Sequence, residues 1–160
     1  MSDSNTQSTL SKEQIDSVIA LYSNGQYQKA IDSIKLLNES YPNVPLLFNL
    51  IGACYKSLGQ LKAAAQMFET AVGIKPDYAE ALKNLGITLD DLGQLDDAVK
   101  CFEKAIIADT NYVDAHYNLA ITLKKLGLLD AAVKSYENVL TINPNFAQAH
   151  NNLGNVFKSL

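Results

Sequence analysis

Residues 45–78 read PLLFNLIGACYKSLGQLKAAAQMFETAVGIKPDY. Phe48, Ile51, Gly52 and Tyr55 fall three and four apart, the chain breaks at Gly59, and Leu61, Ala64, Phe68 and Ala71 resume the spacing before a stop at Pro76. Apolar residues at that spacing share one face of a helix, so each half predicts an amphipathic helix and the whole predicts a helical hairpin. One hairpin leaves apolar surface bare and needs neighbours of its own kind.

Those neighbours stand in strict register at a shift of 34. Gly25, Gly59, Gly93 and Gly127 form one column, Ala30, Ala64, Ala98 and Ala132 a second, Ile34, Phe68, Phe102 and Tyr136 a third, and Pro42, Pro76, Thr110 and Pro144 a fourth. Between the blocks 79–112 and 113–146, 15 of 34 positions are identical, against about two expected for unrelated segments of ordinary composition. The chain is read as an all-α array over 11–160, with units 11–44, 45–78, 79–112, 113–146 and a half unit 147–160, behind a lead-in over 1–10.

Bulk properties narrow the function. Hydrophobic residues make up 48% of the 160, ample for a continuous core along such a stack. A net charge of -4 argues against a nucleic-acid surface, which needs clustered Lys and Arg, and against an anionic membrane. Partners that are neutral or mildly basic stay open. The lead-in is rich in Ser, Thr, Asn and Gln and lacks an apolar stretch, so it reads as disordered and not as a signal peptide. No run approaches the roughly 18 apolar residues of a membrane span. Cys54 and Cys101 occupy different columns of different units, each on an apolar face, which predicts buried free thiols and fits a reducing, cytoplasmic setting.

Each unit carries start and stop signals. Ser11 with Gln14 predicts a capping box; Asp77 with Glu80, Asn145 with Gln148, and Asn111 followed by Asp114 read the same way. Such caps are worth about 1 kcal/mol each and explain these polar residues without catalysis. The glycine column from Gly25 to Gly127 supplies the left-handed residue that ends the first helix of each hairpin. Gly52, Gly86 and Gly154 lie inside helices, where glycine costs about 1 kcal/mol relative to alanine, so close approach of a partner is expected there, with Ala120 showing that a methyl also fits. The first hairpin is the least typical, with Ser17 and Val18 where the next unit has Ile51 and Gly52.

The spacing of Phe48, Ile51, Gly52, Tyr55, Ala64, Phe68, Ala71 and Pro76, repeated every 34 residues, resembles the tetratricopeptide repeat. The likeness spans residues 11–160, with Thr110 for the usual proline, Ala120 for the usual glycine, and Leu82, His116 or His150 for the usual aromatic. It implies an α-solenoid of helical hairpins wound as a right-handed superhelix, with a concave groove lined chiefly by the first helix of each hairpin. The chaperone-tail subclass needs Lys and Asn early in the first unit and a Lys with an Arg later. The corresponding residues here are Ile15, Ile19, Asp114 and Asn118, so that function is not expected.

Residues 147–160 form one amphipathic helix, and Leu153, Val156, Phe157 and Leu160 are expected on a bare face. Either the chain is the N-terminal part of a longer array or the face is covered by a second copy, a self-association module.

No catalytic, cofactor-binding or metal-binding constellation is found. His116 and His150 share a column and are expected a full hairpin layer apart, about 10 Å, too far for two ligands of one metal. They read instead as polar-tipped substitutes for an aromatic at a packing site. On the presumed groove face Asn84, Asn118 and Asn152 recur three residues before Ile87, Ile121 and Asn155. A row of amides can pair with the backbone of an extended peptide whatever its side chains, and it resembles the asparagine ladder of the O-linked N-acetylglucosamine transferases; it can equally bond the adjacent repeat or water. Around it Lys83, Asp90, Tyr117, Lys124 and Lys125 offer side-chain selection, with a solvated face as the plainer account.

The expected function is a non-enzymatic protein-interaction scaffold that binds a protein or peptide ligand, as an extended or helical peptide, in its concave groove, with no cofactor. Two other readings stand beside it: the substrate-recruiting region of a larger enzyme such as a glycosyltransferase, and homodimerisation through the C-terminal helix.

Overall fold

The computed structural model describes residues 10–159. The lead-in expected over 1–10 lies outside them except for Leu10, and so does Leu160. The described residues form nine α-helices and no strand: α1 (Lys12–Ser23), α2 (Tyr27–Ser40), α3 (Pro45–Ser57), α4 (Leu61–Ile74), α5 (Ala79–Asp91), α6 (Leu95–Ala108), α7 (Val113–Lys125), α8 (Leu129–Ile142) and α9 (Ala147–Phe157). Helices pair as antiparallel hairpins α1/α2 to α7/α8, and each second helix then packs on the first helix of the next hairpin.

The hairpin turn is the same four times. Gly25, Gly59, Gly93 and Gly127 sit at φ of 71°, 74°, 78° and 76°. At each, the glycine N–H donates to the carbonyl of the penultimate helix residue and the next N–H to the residue before that, as in Gly25 to Tyr22 and Gln26 to Leu21 at 2.9 Å each. This closes the orphan carbonyls of the first helix and reverses the chain within one turn.

Packing follows the columns. Ala30, Ala64, Ala98 and Ala132 are fully buried, and so are Ile34, Phe68, Phe102 and Tyr136 to within 1%. The small column lets helices approach, and the large one fills the remaining space at each layer. A Cβ added to Gly52 would stand 2.6 Å from Phe68 Cε1, and one added to Gly86 would stand 2.6 Å from Phe102 Cε1. The close approach expected of these glycines is therefore the aromatic ring of the same hairpin's second helix. Gly154 differs from that expectation, with nothing within 4 Å of the added atom.

Two further expectations are corrected. The Ser11 capping box forms, with Ser11 Oγ accepting from Gln14 N–H at 3.2 Å and Gln14 Oε1 accepting from Ser11 N–H at 2.9 Å. Asp77, Asn111 and Asn145 do not cap: the N-cap positions are Tyr78, Tyr112 and Phe146, none with a side-chain cap bond. Each aromatic turns inward against the stack, placing the preceding polar residue one position too early. The turn is closed instead by the Asp109 carboxylate on Asn111 N–H at 3.0 Å and the Asn143 amide oxygen on Asn145 N–H at 3.3 Å. Val156, expected on a bare face, is 0% exposed; it shares a column with the buried Cys54, Thr88 and Thr122.

The fold positions one wall in particular. α3, α5 and α7 lie side by side, and the second helices make no comparable approach to one another. The first helices therefore form the inner side of the bend.

Candidate functional site

The inner wall is held by polar bonds between successive first helices, and nearly all of them join residues 35 apart. Tyr22 OH meets Ser57 Oγ at 3.2 Å, Asn84 Nδ2 donates to Asn49 Oδ1 at 3.0 Å, and Asn152 Nδ2 donates to Tyr117 OH at 3.0 Å. Lys56 Nζ lies 3.2 Å from Asp91 Oδ2, and Lys125 Nζ pairs with Asp90. A residue that looks forward to the next helix cannot also look back. One position further along the chain turns 100° around the helix for only 1.5 Å of rise, so each pair links one column to the adjacent column of the next unit.

Two braces result, an upper one near the N-terminal ends of the first helices and a lower one near their C-terminal ends. Between α3 and α5 both are closed, by Asn49–Asn84 above and Lys56–Asp91 below. Between α5 and α7 the lower brace is strong. The Asp90 side chain is only 9% exposed and also accepts from Thr122 Oγ1, whose hydroxyl is 3.0 Å from the Asn118 carbonyl oxygen. The upper brace is open there. The residue that would reach Asn118 is Lys83, whose ammonium sits over the Tyr112 ring at 5.8 Å. Asn118 turns its Nδ2 back to the Asp114 carbonyl of its own helix at 2.7 Å.

The three asparagines expected to act as one row are thus separated by their surroundings. Asn84 and Asn152 are bonded to a neighbouring unit; Asn118 is bonded only to its own helix among the described residues. Tyr117 is half-buried, with ring centroids 5.0 Å from Phe146 and 6.0 Å from Tyr136. Lys124 is exposed and has no ion pair among the described residues. Asp90, Asn118 and Lys125 come together around a cleft of about 110 Å3 between α5 and α7, with Ile87, Ile121 and Phe102 as its apolar lining. Lys83, Tyr117, Lys124, Asn84 and Asn152 stand outside it.

Both histidines are tied to backbone. Nε2 of His116 is 3.0 Å from the Thr110 carbonyl oxygen, and Nε2 of His150 is 2.8 Å from that of Pro144, so each ring ties its helix to the preceding junction. Burial pushes the Cys54 and Cys101 thiols up to about 11, which keeps them protonated and unreactive near neutral pH. Burial, with Glu80, Asp114 and Asp109 nearby, pushes the Tyr112 hydroxyl up to about 12. Tyr136 is likewise pushed to about 12 by burial and by Tyr117, against a weaker opposing pull from Asn152. No group of three or more metal-ligating side chains converges among the described residues, and no described helix is long and apolar enough to cross a membrane.

Asn49, Lys56 and Thr122 are wall residues that the sequence reading passed over. The signal was present as polar residues in adjacent columns of successive units. A second missed feature is an open groove between α1 and α2 lined by Gln14, Ser17, Val18, Leu36 and Leu37, where Gln14 and Ser17 replace the Phe48 and Ile51 of the next unit.

Comparison with known proteins matches the tetratricopeptide repeat profiles at residues 47–78 and 113–146 and a TPR repeat profile at 89–127, together more than half of the chain. Anaphase-promoting complex subunit 3 of Dictyostelium discoideum is 34% identical over 65 residues, covering 41% of this chain and 7% of that protein. The peroxisomal targeting signal receptor of Kluyveromyces lactis is 31% identical over 67 residues, 42% of this chain and 12% of the receptor. The chain thus spans a small part of the length of these relatives. Among solved structures, MamA superposes with a TM-score of 0.83 at 25% identity, over 89% of this chain and 83% of MamA. The first TPR of Spaghetti (RPAP3), bound to the HSP90 peptide SRMEEVD, gives a TM-score of 0.70 at 22% identity over 72% of this chain and 91% of its own.

Proposed function

Because the chain belongs to the tetratricopeptide repeat family, we propose that it is a non-catalytic protein-interaction scaffold that holds an extended peptide against the wall formed by α3, α5, α7 and α9. The observation that carries this reading is the cleft between α5 and α7, where Asn118, Asp90 and Lys125 surround an apolar floor on the inner side of the bend. An amide there offers a donor and an acceptor to peptide backbone, and the exposed Lys124 adds charge selection. A peroxisomal targeting signal receptor among the relatives and a structural neighbour bound to a peptide support a protein or peptide ligand.

Titration of isotope-labelled protein with a pool of extended peptides tests this. Amide shifts should concentrate around Asn118, Ile121 and Lys124; shifts confined to α2, α4, α6 and α8 would sink it.

A second reading, self-association through α9, is favoured by Phe157, which is 56% exposed, and by the half-buried Leu153 beside it. It requires a mass that rises with concentration in analytical ultracentrifugation, and a monomer throughout removes it.

A further inference from the structure

We propose that the step between α5 and α7 is a socket for one small aliphatic side chain of an extended peptide, with Asn118 holding the peptide backbone beside it. This rests on the groove reading above and narrows it from a wall to one step and one side-chain class.

Three observations converge on that step. The first is the open upper brace: Asn84 and Asn152 donate Nδ2 across to Asn49 and Tyr117 of the preceding unit, while Lys83 leans away over Tyr112, Asn118 donates Nδ2 back to its own helix, and of the three asparagines it alone lines the cleft. An amide oxygen and one remaining N–H, at the rim of a cleft, match the N–H and C=O of a passing strand. The second is the floor. In the column that faces the groove, α3 has Ala53 and α9 has Asn155, so only α5 and α7 set two isoleucines, Ile87 and Ile121, across one step.

The third is charge. Asp90 is already paired with Lys125 and Thr122, and Asp91 with Lys56, so the charged rim is internally neutralised. A charged ligand side chain would have to break one of those pairs, whereas an aliphatic one gains burial on the isoleucines. About 110 Å3 of room suits a valine-sized side chain better than an aromatic ring. The lower brace also fixes the width of the cleft: Asp90 ties α5 to Thr122 and Lys125 of α7, so the socket is preformed.

A random peptide library displayed on phage is selected against the full 160-residue chain, and the tightest peptide is synthesised with a fluorescent label. Selected peptides should share one valine or alanine at a fixed position. Asn118→Ala and Ile121→Phe should each weaken the labelled peptide tenfold or more, with unchanged helical circular dichroism. Ile87→Ala should shift the selected residue from valine towards leucine, a change of preference that a merely structural role for Ile87 would not produce. A peptide that perturbs the inner wall yet keeps its affinity in Asn118→Ala and Ile121→Phe would overturn the socket and leave the scaffold reading standing. Failure to select any peptide that shifts inner-wall amides would overturn both.

Discussion

The α3–α5 and α5–α7 steps are built on the same core and closed by different walls. Under each lies an aromatic ring against a glycine, Phe68 on Gly52 and Phe102 on Gly86, so close that a Cβ added to either glycine would stand 2.6 Å from the ring. Above, the α3–α5 step joins Asn49 to Asn84 and Lys56 to Asp91, while among the described residues the α5–α7 step joins only Asp90 to Thr122 and Lys125. The core repeats because every layer poses the same volume to fill. The wall is free to vary, since each brace needs only two complementary groups, and leaving one brace open costs little where both groups find other partners. Recognition in such an array can therefore be placed at a chosen step by removing a brace and not by adding a pocket.

The largest effects should fall on the shared core. Phe68→Ala and Phe102→Ala should each destabilise by about 3–5 kcal/mol in urea unfolding, because the ring is buried to within 1% in both and the neighbouring backbone is held by two helices. Near-equal losses would confirm that the two steps differ only in their walls. A much smaller loss at Phe102 would mean that the open step is loose down to its base, and the comparison would fail there.

Next come the walls themselves. Asn49 is buried and accepts from Asn84 Nδ2, so Asn49→Ala leaves that part-buried donor without its partner and should cost about 1–3 kcal/mol. Asn118→Ala removes one bond from a half-exposed amide to its own helix and should stay within about 0.5 kcal/mol. Asp90→Asn falls between, at about 1 kcal/mol, because its Lys125 partner is 51% exposed and water screens the pair; high salt should shrink the difference. Equal costs for Asn49→Ala and Asn118→Ala, read from the same unfolding midpoints, would erase the distinction between a closed and an open brace.

How far these differences were legible follows from what each layer obeys. The hairpins, the left-handed glycines and the Ala and aromatic columns answer to a period of 34, and a shift of 34 exposes them at once. The junctions misled, since Asp77, Asn111 and Asn145 have the right chemistry for a cap but stand one residue ahead of an aromatic that takes the position. The wall misled differently. Aligning Asn84, Asn118 and Asn152 in one column makes them look equivalent, yet each is defined by the residue 35 before it: Asn49, Lys83 or Tyr117. Only the pairing of adjacent columns, a consequence of neighbours meeting on opposite flanks of a helix, separates them.

The smallest change in stability should come from the substitution that turns the open step into the closed one. Lys83→Asn places an amide 35 residues before Asn118, as Asn49 stands before Asn84. The new bond contributes about 1 kcal/mol. Against it stand the lost contact of the Lys83 ammonium with Tyr112, about 0.5 kcal/mol, and the poorer helix propensity of Asn, up to about 0.7 kcal/mol on the whole scale. These nearly cancel, so the melting temperature should move by no more than about 2 °C. Binding should respond far more, because an Asn118 whose Nδ2 is turned across the step onto its neighbour, as that of Asn84 is, bridges the place where a peptide backbone would lie. A tenfold loss of affinity at an almost unchanged melting temperature is the expected result. Retained affinity would show that the open brace is incidental to what the groove holds.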